Sequence, residues 1–491
     1  MKTYNSSKPG STGVALGKRE PKIEAAGRHR GVSNGGVCAV ATLVKRLGVA
    51  QAINGAVRLL KVRRGYAESD HVLNIALNPL SGGQTLDDIE LRRRDPLFLK
   101  SIDAVSLPDP TTAGDFCRRF SPEDINALEN CINEVRVHVW KSQPESFFKI
   151  ARIDADGVFV PTGSECAEGV DYSGQKRDWG YHPLIVSLAN TQEPLFIKNR
   201  TGARPSHEGA SELFDRSIDV CKQAGFQQII LRGDTDFSQT RHLDRWNDIP
   251  NVGFVFGFDA MPKLVDIADS LEQESWRPLA RNKRVVEEDD ERSKGTRHKD
   301  EVILNREYRN LELESEHVAE FEYSPTACLN SYRLVAVRKT IRVTKGHELL
   351  FPETRYFFYI SNLQGVDARE IVREANDRCN QENLNSHLKS GVHALRAPLK
   401  TLNSNWAYMV MTSLAWTFKA WFGLMMLPKS QTETTRSLGR RILTMEFRTF
   451  VNNLMLIPAL IIETGRQIIV RLLAETPWTP HLLNAQVCFR E

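Results

Sequence analysis

The 491-residue chain has eight cysteines, Cys38, Cys117, Cys131, Cys166, Cys221, Cys328, Cys379 and Cys488, but no C-x-x-C pair and no cluster of cysteine with histidine. Thiols scattered in this way argue against structural zinc and for a reducing compartment. Net charge is scarce too. The 65 Lys and Arg against 61 Asp and Glu leave only +4, so any nucleic-acid site must come from local clustering. Neither a G-x-G-x-x-G turn nor a Walker loop occurs, which removes the usual dinucleotide and triphosphate cradles, and there is no internal repeat. The first thirty residues are rich in Lys and Arg and lack the apolar stretch of a signal peptide, so they read as a disordered basic tail. One run, "YMVMTSLAWTFKAWFGLMML" at residues 408 to 427, approaches the length of a membrane span. Lys419, Thr412, Ser413 and Thr417 interrupt it, and it reads as a buried core helix. A cytoplasmic protein of two to four domains is expected.

What the chain does contain changes character along its length. Residues 31 to about 145 alternate helical patterns with turn signals. Thr85 marks one helix start and Thr111 or Thr112 another, which brings Arg118 and Arg119 together near a helix end as candidates for phosphate contact. From 146 the runs "FFKIARID", "VFVPT", "HPLIVSLAN" and "PLFIKNR" are short and extended. An amphipathic helix and the strand at 229 to 231 follow. Three antiparallel strands, a helix and a further strand form an α/β order unlike the strict alternation of dinucleotide folds. Residues 265 to 370 read as a β-rich insertion that includes a mobile, charge-dense loop, "RNKRVVEEDDERSKGTRHKDE". From 367 the pattern is helical to the end, with breaks at Pro458 and Gly465.

Acidic residues gather where these strands end. Asp154 and Asp156 are two apart and leave one face of their strand. Asp234 and Asp236 close the run "IILRGDTDF", whose Arg-Gly-Asp is too close to a buried strand to read as an adhesion tripeptide. The segment "REANDRCNQENLNSHLKSG" reads as one helix that puts Arg378, Glu382, Ser386 and Lys389 on one face. Its polarity, with Asn380, Asn383, Asn385, His387 and His393, suits contact with something anionic. Carboxylates collected at strand ends are costly without a cation. Asp156, Asp234 and Glu382 together could hold two Mg²⁺ or Mn²⁺ ions in the arrangement used for in-line phosphodiester chemistry, with Arg378 and Lys389 gripping flanking phosphates.

On these residues the chain resembles the DDE transposases of bacterial insertion sequences, most nearly the thirteen-eighty group of the IS-four-type assemblage. Arg378, Glu382 and Lys389 fall on the last three positions of that branch's Tyr-x2-Arg-x3-Glu-x6-Lys signature, and Ala375 stands at the tyrosine. "LSGGQTLDDIELRRRDPLF", "LPDPTTAGDFCRRF", "GYHPLIVSL", "LRGDTDF" and "IPALIIETGRQIIVRL" resemble successive parts of the group, the last its carboxy-terminal helix. The resemblance implies a mixed-sheet α/β core of ribonuclease-H-like type with a β-rich insertion and helical terminal regions. It divides the chain into 1–30 (tail), 31–145 (helical, DNA-binding), 146–264 and 371–427 (core), 265–370 (insertion) and 428–491 (helical).

The activity implied is cleavage of double-stranded DNA at the ends of a mobile element and joining of the freed 3′ hydroxyls to target DNA, with two Mg²⁺ or Mn²⁺ ions per active site. A homodimer on DNA in the bacterial cytoplasm, associated with the nucleoid, is implied as well. Asp156 is taken as the first acid for its place in the Asp-Gly-Val triplet, with Asp154 as the alternative. Arg232 and Gly233 are expected to let the DNA backbone approach. His387 and His393 read as satisfied helix-surface histidines, and Trp406, Trp416 and Trp421 as core. Two other readings stand: a haloacid-dehalogenase-like phosphatase with Asp154 as nucleophile, Asp156 as acid/base and Asp234 with Asp236 on Mg²⁺, and an inactive DNA-binding relative.

Overall fold

The computed structural model describes residues 31–61, 65–164, 166–279, 311–343, 353–428, 431–465, 467–474 and 476–488. The basic tail and the charge-dense loop predicted at 281–301 lie outside the described residues.

A nine-stranded mixed sheet organises the molecule. Its first half comprises β1 (Ile150–Gly157), β2 (Leu184–Leu188), β3 (Glu193–Lys198), β4 (Gln228–Gly233) and β5 (Val252–Phe258), in the spatial order β3-β2-β1-β4-β5. The meander β1-β2-β3 is antiparallel, whereas β4 and β5 run parallel to β1. Helix α2 (Ala210–Ala224) makes the crossover that a parallel return requires. The chain then adds β6 (Arg277–Pro278), β7 (Leu311–Tyr323), β8 (Tyr332–Val343) and β9 (Glu353–Ser361). These extend the same sheet, because β9 pairs antiparallel with β5 from Phe358 opposite Phe258 to Ser361 opposite Val255. The large mixed sheet flanked by helices is thus as the family resemblance implies.

Helices cover both faces. Apart from α2, those that bear on the site are α1 (Pro122–Lys141), α3 (Ala368–Asn376), α4 (Cys379–Ser386) and α5 (Leu402–Leu424). The segment 373–391 is not the single helix expected. Asp377 and Arg378 form a turn between α3 and α4, and His387–Gly391 continues α4 as a π-helical turn. In the amino-terminal part, helix starts fall elsewhere than at the threonines. Asp109 caps Pro110–Cys117 by accepting from Thr112 N at 2.9 Å, and Ile89–Arg93 begins after Asp88.

The helical reading of the C-terminal region is corrected at residues 459–472. Ala459–Glu463 (β10) and Ile468–Leu472 (β11) form an antiparallel hairpin, and β10 also pairs with Gly31–Val32. Pro458 lacks the N–H a helix needs, and the β-branched Ile461, Ile462, Ile468, Ile469 and Val470 favour a pleated strand. Thr464 N donates to Gln467 O at 3.0 Å to close the turn.

Helix α5 is buried from Ser404 to Leu424. Its indoles are core groups, as expected, each with a hydrogen-bond partner. Trp406 donates to Ile197 O, Trp416 to Gln192 O at 2.6 Å and Trp421 to Glu193 Oε1 at 2.8 Å. Glu193 also accepts from Arg136 Nε and Trp140 Nε1, both at 3.0 Å, which ties α1, β3 and α5 around one satisfied carboxylate. Among the described residues no single helix is long and apolar enough to cross a membrane, although the bent pair Val37–Arg46 and Val49–Ala56 passes by length and composition.

Lys419 is the anomaly of α5. Its Nζ lies 3.9 Å from the Trp416 ring centre and 3.2 Å from Leu443 O, and burial pulls its pKa down to about 7. Between about pH 7 and pH 10 the unfolded chain binds this proton more tightly, so the stability linked to Lys419 is lost as pH falls through that window. Lys419→Met is therefore expected to raise the thermal midpoint at pH 7 by several degrees, a gain on the order of a few kcal/mol, and to change little at pH 10. Equal shifts at the two pH values would show that the charge is not the cause.

Candidate active site

Alternation in β1 sorts its residues. Ala151, Ile153 and Ala155 pack into the main apolar core, while Arg152, Asp154 and Asp156 leave the opposite face. The parallel register sets Asp154 opposite Arg232 of β4. Carried two residues further, it brings Asp156 alongside Asp234, just past the end of β4. The turn at Asp234 is tight. Asp234 Oδ1 accepts from Asp236 N at 3.1 Å, and a Cβ on Gly233 would fall 2.4 Å from Phe237 Cβ. Gly233 therefore serves the packing of Phe237. The aspartate caps its turn and faces the site at once.

The two aspartates of β1 have different environments. Asp154 is fully buried, and Arg232 grips it in a fork, Nε to Oδ1 at 2.6 Å and Nη2 to Oδ2 at 2.8 Å. Arg232 Nη1 also donates to Glu374 Oε1 at 2.9 Å, and Arg152 completes a neutral tetrad through Glu374. Burial draws the Arg232 pKa down, but Asp154 and Glu374 more than restore it. The expectation that Arg232 contacts DNA is thus corrected. The guanidinium is 1% exposed, and its charge is spent on two carboxylates. Asp154 is equally unavailable as a phosphoryl acceptor, and a meander follows β1, so the phosphatase reading fails on both counts.

Asp156 is half-buried and held differently. Asn385 Nδ2 donates to its Oδ2 at 2.7 Å, Gln381 Nε2 donates to Asn385 Oδ1 at 3.3 Å, and Ser187 of β2 donates to Gln381 Oε1. This chain of donors runs one way, from strand to carboxylate. Burial raises the Asp156 pKa to about 6. Arg378 opposes the shift, and Asp234 and Glu382 add to it. Asp234 is raised as well, first by burial, with Arg378 lowering it and Asp236 and Glu382 raising it. Asp156, Asp234 and Glu382 thus share one electrostatic neighbourhood in which Arg378 is the principal counter-charge.

The remaining predicted residues lie around this centre. Glu382 is exposed on α4. Lys389 is exposed in the π-helical turn and donates to Phe159 O at 3.3 Å. Arg118 and Arg119 are exposed, and Arg118 pairs with Asp115. Among the described residues no three His, Cys, Asp or Glu side chains converge as a ready metal cage. The expected three-carboxylate ligand set is therefore not assembled as a metal site, although Asp156 feels the charges of both Asp234 and Glu382. Its chemistry still suits a hard divalent cation, because all donors are oxygens and an added positive charge would relieve the repulsion that raises Asp156. Asn385, Gln381, Ser187 and Glu374 were not singled out as site residues from sequence. The four-residue spacing of Gln381 and Asn385 was the available signal.

Over residues 16–488 the sequence matches the family described as transposase DDE domain group 1. The chain belongs to this DDE transposase family. A cryo-EM structure of the piggyBac transposase synaptic complex with hairpin DNA is similar at a TM-score of 0.37 and 10% identity, covering 87% of this chain and 84% of that one. No curated protein matches. In this DDE transposase the acids in question stand at the ends of adjacent central strands and on the helix above them.

Proposed function

We propose that the protein cuts double-stranded DNA at the ends of a mobile element and joins the 3′ hydroxyl ends to target DNA, with Asp156, Asp234 and Glu382 as its catalytic carboxylates. The carrying observation is that Asp156 and Asp234 stand at the ends of adjacent parallel strands, with the helix that bears Glu382 joined to Asp156 through Asn385, in a chain of the DDE transposase family. The strand order β3-β2-β1-β4-β5, with β2 antiparallel, supports a ribonuclease-H-like core. In this reading residues 146–264 and 371–427 form that core, 265–370 are an insertion that prolongs its sheet, 31–145 bind DNA, and 428–491 form the closing region. The signature at Arg378, Glu382 and Lys389 supports the bacterial insertion-sequence branch, the thirteen-eighty group. A homodimer would hold two element ends in the nucleoid.

Mg²⁺ or Mn²⁺, when bound by Asp156, Asp234 and Glu382, would activate the attacking oxygen and stabilise the leaving 3′ oxygen. The chain's own part is to orient these acids. Asn385 fixes one oxygen of Asp156, Arg378 tempers the repulsion, and Lys389 offers an exposed cation for a flanking phosphate.

The test is cleavage of a labelled duplex carrying the element's terminal repeat. Metal-dependent nicking at the repeat boundary is expected for the wild type and should vanish in Glu382→Gln while DNA affinity persists. Undiminished cleavage by Glu382→Gln would sink the assignment. Asn385→Leu removes a charge-assisted hydrogen bond worth about 1.5–3 kcal/mol. It should slow single-turnover cleavage roughly 10- to 100-fold at unchanged DNA affinity, with Asn385→Gln partly restoring the rate. Wild-type rates in Asn385→Leu would show that the Ser187–Gln381–Asn385 chain does not position Asp156.

A further inference from the structure

Beside Lys389, between the π-helical turn and the amino-terminal helices, lies a cavity of about 710 Å³. We propose that it is a second phosphate site, which holds backbone phosphates of the DNA strand running away from the three carboxylates. The inference rests on the transposase reading and extends it to residues outside the family signature.

The cavity is lined by Lys389, Arg396 and Arg448 with no Asp or Glu in its wall, and among the described residues no carboxylate pairs with any of the three. Arg396 Nη1 is steadied by Gln84 O at 3.2 Å. The acid nearest to hand, Asp88, is already engaged by Gln84 N, Thr85 N and Thr85 Oγ1 at 2.8–3.0 Å. Asp88 keeps its charge but forms no ion pair with any of the three cations, and an anion in the cavity would supply the partner they lack.

His393 supplies an independent observation. It lines the cavity at 6% exposure, and its Nδ1 is buried without a hydrogen-bond partner. It is thus not the satisfied surface histidine expected from sequence. Its backbone sits at φ +60° in the left-handed region, which a non-glycine residue adopts at a cost of about 1–3 kcal/mol. A strained, buried histidine whose Nδ1 has no partner, beside three cations without an ion pair, marks a place built for a ligand.

Position makes that ligand DNA. Lys389 follows Glu382 by two helical turns, and its Nζ rests on Phe159 O just beyond Asp156, so the cavity adjoins the carboxylates. A neighbouring cavity of about 410 Å³ shares Thr85 and Pro398 with it and adds Asp87 and Arg118, the latter paired with Asp115. The DNA assignment therefore rests on the cavity's place beside Lys389 and the helix that bears Glu382.

Arg396→Gln, Arg448→Gln and the double variant should each bind the terminal-repeat duplex more weakly, by roughly tenfold per residue at 0.1 M salt. The slope of log affinity against log salt should become shallower by about 0.9 per lost contact. The loss is expected in Kd and KM, whereas Glu382→Gln loses rate, and Arg396→Lys should restore most of the affinity. Arg448 is exposed, so its substitution should spare the thermal midpoint. Unchanged affinity and slope in folded variants of a wild type that binds and cleaves would overturn the phosphate site and leave the transposase reading standing. A wild type that neither binds nor cleaves would overturn both. If millimolar inorganic phosphate stabilises the wild type and not the double variant while duplex affinity is the same in both, the site takes a free anion and the DNA assignment is wrong.

Discussion

Asp156→Asn is expected to reduce DNA cleavage on the order of 10³-fold or more and, at the same time, to raise the thermal midpoint of the metal-free protein. Both effects follow from one cause. The carboxylate stands half-buried beside Asp234 and Glu382, with its pKa raised to about 6. An acid whose folded pKa is raised lets the folded state bind the proton more tightly, so stability falls as pH climbs from about 4 to about 6 and the cost is complete at pH 7. That cost is on the order of 2–3 kcal/mol. Asparagine keeps the acceptor for Asn385 and removes the repulsion. Melting curves at pH 7 and pH 4 check this, since the gain should be present at the first and nearly gone at the second. A variant less stable than the wild type at pH 7, or one that cleaves normally, would show that Asp156 is an ordinary structural acid.

Asp154→Ala, two residues away on the same face, should do the reverse. Removing it leaves both arms of the buried Arg232 fork unpaired, with only Nη1 still on Glu374, and breaking one partner of a buried ion pair typically costs about 3–5 kcal/mol. The midpoint should drop by several degrees, and Arg232→Met should drop it comparably. The double variant Asp154→Leu/Arg232→Met should recover much of the loss, because no uncompensated charge is left. Additive losses in the double variant would mean that the two side chains contribute through packing and not through each other. The opposite signs at 154 and 156 separate a residue that holds the sheet from one that the sheet holds in place.

Sequence alone could not make that separation. Both aspartates share a strand face, and only the register that sets Asp154 opposite Arg232 decides between them. Strands β1 to β5 were legible because each is a short apolar run closed by turn residues, and local pattern determines them. The role of Arg232 was not legible, since nothing near 232 in the sequence reveals that Asp154 and Glu374 will reach it. The C-terminal hairpin was misread for a related reason. "ALIIE" and "IIVRL" are apolar at every spacing, and their pairing with each other and with Gly31–Val32 is a tertiary decision. The turn at Asp377–Arg378 and the π-helical turn after Ser386 fall inside a stretch whose composition reads as continuous helix, so these breaks left no local trace.

The sheet that unites the carboxylates also sets when they meet. β1 and β4 lie far apart along the chain, and β9 must return across the long β-rich segment to reach β5 before α3 and α4 can settle on the shared face. During synthesis the two aspartates emerge first. At about 5–20 residues per second, Glu382 follows Asp234 by roughly 7 to 30 seconds. The growing chain thus passes through a stage with two of its three acids and no helix above them. A ribosome-bound fragment ending before residue 379 carries the strand acids with neither Glu382 nor the Gln381–Asn385 brace, so under the proposed assignment it should not cut DNA.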